Sequence, residues 1–232
     1  DGIRDYKVTG VQTCALPISP PTATFQSISP VSPGASRTPT LMVNLSEAAS
    51  SVILYSDAGC SAAISNAVAS LAGVNTFVTN SLAADVKTSI FARITDLASN
   101  QSSCTPMTEY IHDGTSPVVS SVSSTASNQT YGLGQIIPVT VSFNEVVYVT
   151  GFPRITMGVG SGSSYATYVS GSGSNTLTFN YTVGASESSA DLNYASISAL
   201  ALNGGTIKDF SGNDANLGLP ATNAATSLAG RS

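Results

Sequence analysis

His112, next to Asp113, is the sole histidine of the chain and the only place a His-based catalyst could start. A triad needs a nucleophile, a base and an orienting acid in one pocket. Serine is so abundant here that any histidine has one nearby, so the pair reads as an exposed residue at a domain junction. Glycoside hydrolysis needs two carboxylates facing each other across a cleft. The thirteen acidic residues are scattered singly through turns, and no segment supplies such a pair. Gly158-Val-Gly-Ser-Gly-Ser163 has the glycines of a phosphate cradle but no following helix whose N-terminus would hold the phosphate, so it reads as a hairpin loop. Calcium is the one ligand worth weighing. Hard cations take several oxygens, and Asp113, Glu145, Asp209 and Asp214 lie in turns or near the junction. Their spacing matches no dedicated calcium loop, and Asp in a turn also serves local backbone bonding. No catalytic, cofactor-binding or metal-ligating residue is assigned from the sequence, and the chain reads as not an enzyme.

Composition narrows the partners. Only 9% of the 232 residues are charged and 7% aromatic, with no Trp, against roughly 25% charge in ordinary domains. The surface must therefore be built from Ser, Thr, Asn and Gly. Eight basic residues against thirteen acidic ones give a net charge of −5, whereas a nucleic-acid partner calls for a basic stripe. A hydrophobic fraction of 42% is enough for a real core. No window approaches the roughly 20 apolar residues of a membrane-spanning helix.

Residues 1–18, from Asp1 to Ile18, show neither helical nor strand periodicity and lack the apolar region of a signal peptide. The string resembles the in-frame translation of a sequencing-library adapter, with Tyr6-Lys7 where the variable index falls. That resemblance implies an artefact without a partner in the fold, expected to be disordered, and a remainder that is an internal fragment. With Cys14 assigned to it, Cys60 and Cys104 remain, one at the end of each of two turn regions. They suit a disulfide in an oxidising compartment. Two separate thiols are the alternative; zinc is a poor rival, because it wants four ligands and one histidine does not complete a set.

From Pro20 onward, short stretches rich in Thr, Val, Ile, Tyr and Phe alternate with turn clusters at the spacing of an all-β sandwich. Strands are expected at Thr40–Leu45, Ser51–Tyr55, Val74–Thr79, Thr88–Ile94, Val118–Val122, Ile136–Phe143, Val146–Val149, Arg154–Met157, Tyr165–Val169, Thr176–Val183 and Ser198–Leu202. Leu177, Phe179, Tyr181 and Val183 would share one face. Ala62–Leu71 and Ala185–Ile197 read as connections with at most one turn of helix. Asp96-Leu-Ala-Ser-Asn100 is answered by Asp209-Phe-Ser-Gly-Asn213, a weak internal repeat in which Asp and Asn would cap a tight turn.

Both halves resemble the bacterial immunoglobulin-like repeats found in tandem in very large secreted and surface-anchored proteins. The second half carries the more specific match, through Pro138-Val-Thr-Val-Ser-Phe-Asn-Glu145, Asn175-Thr-Leu-Thr-Phe-Asn-Tyr-Thr-Val183 and the run Ala199–Asp214. The first resembles a sister repeat with paired cysteines, through Leu54–Cys60 and Thr95–Cys104. The resemblance implies two tandem immunoglobulin-like β-sandwiches, residues 20–114 and 115–230, the second lacking its last strand because only Asn216–Leu219 and a small-residue tail follow. It also implies a non-catalytic spacer, adhesin-like, outside the cell or on its surface, whose partners are neighbouring repeats of the same chain. The rival readings are a module binding a cell-surface or glycan ligand, and an accessory domain of a secreted hydrolase.

Overall fold

The structure is a computed structural model that describes residues 19–160 and 164–231. The adapter-like stretch 1–18, with Cys14, lies outside the described residues. The chain divides into two compact units. Unit 1 takes the residues through Ser32 together with Arg37–Ile111, and unit 2 takes Pro33–Ser36 together with His112–Ser232.

Unit 1 is an all-β sandwich of strands β1 (Ala23–Ser29), β2 (Thr40–Leu45), β3 (Ala49–Tyr55), β4 (Val68–Ser70), β5 (Gly73–Val78), β6 (Lys87–Asp96) and β7 (Thr105–Ile111). One sheet has the order β1-β2-β5 and the other β4-β3-β6-β7, with antiparallel pairing throughout. Period-two alternation dictates which side chains go inside. Leu41, Val43 and Leu45 on β2 meet Val52 and Leu54 on β3 and Ile90, Ala92 and Ile94 on β6, closed by Phe77, Met107 and Tyr110. Cys60 and Cys104 form a disulfide across a sequence separation of 44. It ties the turn after β3 to the start of β7.

Unit 2 contains β8 (Val119–Ser124), β9 (Ile136–Thr150), β10 (Arg154–Met157), β11 (Ser164–Ser170), β12 (Ser174–Thr182), β13 (Leu200–Ala201) and β14 (Thr206–Lys208). These follow the order β13-β10-β11-β12-β9-β14, with β8 also paired to β9. Leu177, Phe179 and Tyr181 are buried on one face as their alternation requires, and Val183 packs partly buried against the same core. Tyr168 meets Phe179 edge-on at 5.8 Å, and Tyr165 lies on a sheet face with the Arg154 guanidinium 4.0 Å from its ring centroid.

Two expected strands, Ile136–Phe143 and Val146–Val149, are one. β9 runs through both, and its register against β12 slips between Ser142 and Val147. Such an irregularity bends a strand and re-aims a side chain. The core-facing parity of β9 is Ile137, Val139, Val141, Phe143 and Val147, and Glu145 occupies the same parity inside the slip.

The two windows read as connections contain no helix, but the first holds the short strand β4. After β14 the chain does more than trail away in small residues. Leu219 and Leu228 are buried in the core of unit 2, Val118 forms a parallel bridge with Asn216, and Val122 N–H donates to the Thr226 carbonyl at 2.9 Å. This tail bonds the residue before β8 at one place and β8 itself at another, without forming a strand there.

Candidate metal centre

Asp113, Glu145 and Asp209 converge in unit 2, and one carboxylate oxygen from each lies within 4.8 Å of the others. These are three of the four acids singled out from the sequence. The fourth, Asp214, is turned away and pairs with Lys208 at 2.8 Å.

Each carboxylate is placed by local chemistry. Asp209 follows β14 and is buried. Its Oδ1 accepts from the Asn213 N–H and its Oδ2 from Asn213 Nδ2, both at 2.8 Å. Asp113 lies before β8; its Oδ1 accepts from the Thr115 N–H at 3.2 Å and its Oδ2 from the Ser211 hydroxyl at 2.8 Å. Asn213 Nδ2 also donates to the Asp113 carbonyl at 2.9 Å, which holds the two acidic segments together. Glu145 arrives from the side, because the alternation of β9 points it inward where the hydrophobic row is interrupted. Its Oε1 is buried and has no hydrogen-bond partner. Burial pushes the Glu145 carboxyl above its ordinary range, and the charges of Asp209 and Asp113 add to the effect. Three carboxylates with one uncompensated oxygen form an acceptor-only cluster, which suits a hard cation that takes oxygen ligands.

The loop that carries Asp209 has a counterpart in unit 1. Asp96 N–H donates to the Asn100 carbonyl at 3.0 Å, and Asp209 N–H donates to the Asn213 carbonyl at 3.1 Å. Asp96 Oδ1 and Oδ2 accept from the Asn100 N–H and Nδ2, both at 2.8 Å, as in unit 2. The fourth residue of each loop is left-handed, Ser99 with φ 70° and Gly212 with φ 94°. A second correspondence lies at the strand entry. The Ser46 hydroxyl accepts from the Thr22 N–H at 2.9 Å, as Asn144 Oδ1 accepts from the Val118 N–H at 2.7 Å. The next residues are Glu47 and Glu145, each continuing the inward parity of its strand.

His112 is buried, with 6% exposure, and not on the surface as its position at the junction suggested. A parallel bridge between its backbone and that of Gly34 draws it in. Gly158–Gly160 open the connection between β10 and β11, the place expected for a hairpin loop. Sequence reading passed over Glu187. Its carboxylate accepts from the Tyr181 hydroxyl and the Gly184 N–H, each at 2.6 Å, and from the Ser164 hydroxyl. A glutamate in a Ser-rich connection carries no periodic signal that would flag it. The sequence of the chain matches no family model and no curated protein.

Proposed function

We propose that the chain is two consecutive copies of one β-sandwich repeat and acts as a non-catalytic spacer, adhesin-like, in a secreted or surface-displayed bacterial protein. One observation carries this reading: the entry frame Thr22/Ser46/Glu47 with the Asp96–Asn100 loop recurs as Val118/Asn144/Glu145 with the Asp209–Asn213 loop. Each of these bonds alone is ordinary local capping; it is the recurrence of the whole set, in the same order along both units, that supports the reading. The Cys60–Cys104 bridge supports an oxidising compartment. Such repeats have their neighbours in the chain as partners, and each contributes length.

A spacer of this kind requires each copy to hold its own fold. Calorimetry of the chain is therefore expected to resolve two transitions, each cooperative by itself. Phe179→Ala removes a fully buried ring from unit 2. It should lower one transition by about 3–5 kcal/mol and leave the other in place. A single transition that moves as a whole would contradict the reading.

A second reading, favoured by the orphaned Glu145 Oε1, is that unit 2 binds calcium at Asp113, Glu145 and Asp209. A divalent cation there would meet all three carboxylates, offset the burial that raises the Glu145 carboxyl and remove the repulsion that adds to it. It would also fasten the segment before β8 to the loop after β14, stiffening the end of the repeat.

A further inference from the structure

We propose that a cavity in unit 2, between residues 124–131 and 187–192, is a binding pocket for an alkylammonium group, an apolar stem ending in a cationic head such as a lysine side chain presents. The cavity measures about 370 Å³, within the roughly 300–1,000 Å³ of small-molecule sites. Its floor is apolar, made by Ile137, Val159, Val183, Leu192 and Leu228. Ile137, Val159 and Leu228 belong to the core and are fixed by it.

Charge decides the class of guest. Two carboxylates, Glu187 and Asp191, line the cavity, and no Lys, Arg or His is among its described lining residues. An anionic guest would meet like charge at Glu187 and Asp191 and no opposite charge among the described lining residues. Glu187 is held rigidly by the Tyr181 hydroxyl, the Gly184 N–H and the Ser164 hydroxyl. A carboxylate offers about four lone-pair sites, so three donors leave one for a guest. Burial, the hydrogen bond to Glu187 and the charge of Glu187 push the Tyr181 phenol far above its ordinary range. It therefore stays a donor to the Glu187 carboxylate. Asp191 lies on the exposed rim. A methylene chain laid on the floor would bring its ammonium to the remaining acceptor site of Glu187, within the field of the Asp191 charge on the rim, as long cationic side chains do when they cover apolar patches. A neutral polyol would also donate hydroxyls to these carboxylates, but it would leave their charge uncompensated and the apolar floor uncovered.

The test is a titration of the full chain, isotope-labelled for NMR, with n-pentylammonium and with 1-pentanol as its neutral isostere. Pentylammonium is expected to give saturable shifts confined to residues 126–131 and 187–192. It should bind about tenfold more tightly than pentanol, in line with a hydrogen bond to a charged group. Raising the salt concentration should weaken it, and Asp191→Asn, a change on the exposed rim, should weaken it several-fold while pentanol binding stays the same. Equal affinity for amine and alcohol would overturn the proposal, as would shifts that do not saturate or that fall elsewhere. Saturation by methyl glucoside in place of the amine would overturn it in favour of a saccharide site.

Discussion

Reduction of the Cys60–Cys104 bridge is expected to lower the melting temperature of unit 1 by about 15–30 °C and to leave unit 2 unmoved. The bridge closes a separation of 44 residues. In the chain-entropy account, a loop of that length restricts the unfolded state by about 4 kcal/mol. For a domain of this size each kcal/mol is worth roughly 4–8 °C. The loop spans β4, β5 and β6, so the bridge constrains three of the seven strands of the unit. The check is a melt of the chain with and without reductant, repeated with Cys60→Ser/Cys104→Ser. A unit 1 transition that shifts by less than a few degrees would show that the bridge does not hold the fold.

Calcium is expected to stabilise unit 2 by about 2.7 kcal/mol at a concentration one hundred times its dissociation constant, a shift on the order of 10 °C. Without the cation, the folded carboxyl of Glu145 holds its proton more tightly than the unfolded one. The folded state then binds more protons between the ordinary value of 4.5 and the raised one, so the contribution of Glu145 to stability falls as pH rises through that window. Calcium bound at the cluster would oppose this trend, because it would favour the charged form. Unit 1 responds in the opposite direction. Burial tends to raise the Asp96 carboxyl, but hydrogen bonds from the Asn100 side chain, the Asn100 N–H and the Ala98 N–H outweigh it, and the net shift is downward from 3.8. Its contribution is present above that value and is lost as pH falls through the lowered one. Glu145→Gln should raise the melting temperature of unit 2 in chelator and abolish most of the calcium response. A response of equal size in the variant would place the cation elsewhere.

The sequence revealed most of the architecture where alternation was unbroken. Thr40–Leu45 and Arg154–Met157 are strands with the bounds their patterns indicate. β7 escaped notice because its buried residues, Met107 and Tyr110, are three apart rather than two. The slip in register opposite Ile90 and Phe91 accounts for that spacing. β1 escaped for a related reason: a slip at Phe25–Ser27 and one fully buried residue leave no period to read. β14 is three residues long, too short for any pattern.

The acidic cluster was half legible. The types and turn positions of Asp113, Glu145 and Asp209 marked them as oxygen donors, yet their separations in sequence gave no reason to group them or to leave out Asp214. What groups them is tertiary: the inward parity of Glu145 on β9, and an Asn213 side chain that bonds both acidic segments. The Asp-x-x-x-Asn repeat was visible as a string, and its shared bonding follows from the same two side chains closing the same turn.

The spacer reading is tested most directly by pulling single molecules from their ends. The account predicts two separate unfolding events, one for each unit, with the extension of unit 1 cut short by its bridge. Reduction should lengthen that event alone by about 150 Å, taking the 44 bridged residues at roughly 3.5 Å each. A single event releasing the whole chain, or extension without resistance, would contradict a spacer built from two independent repeats.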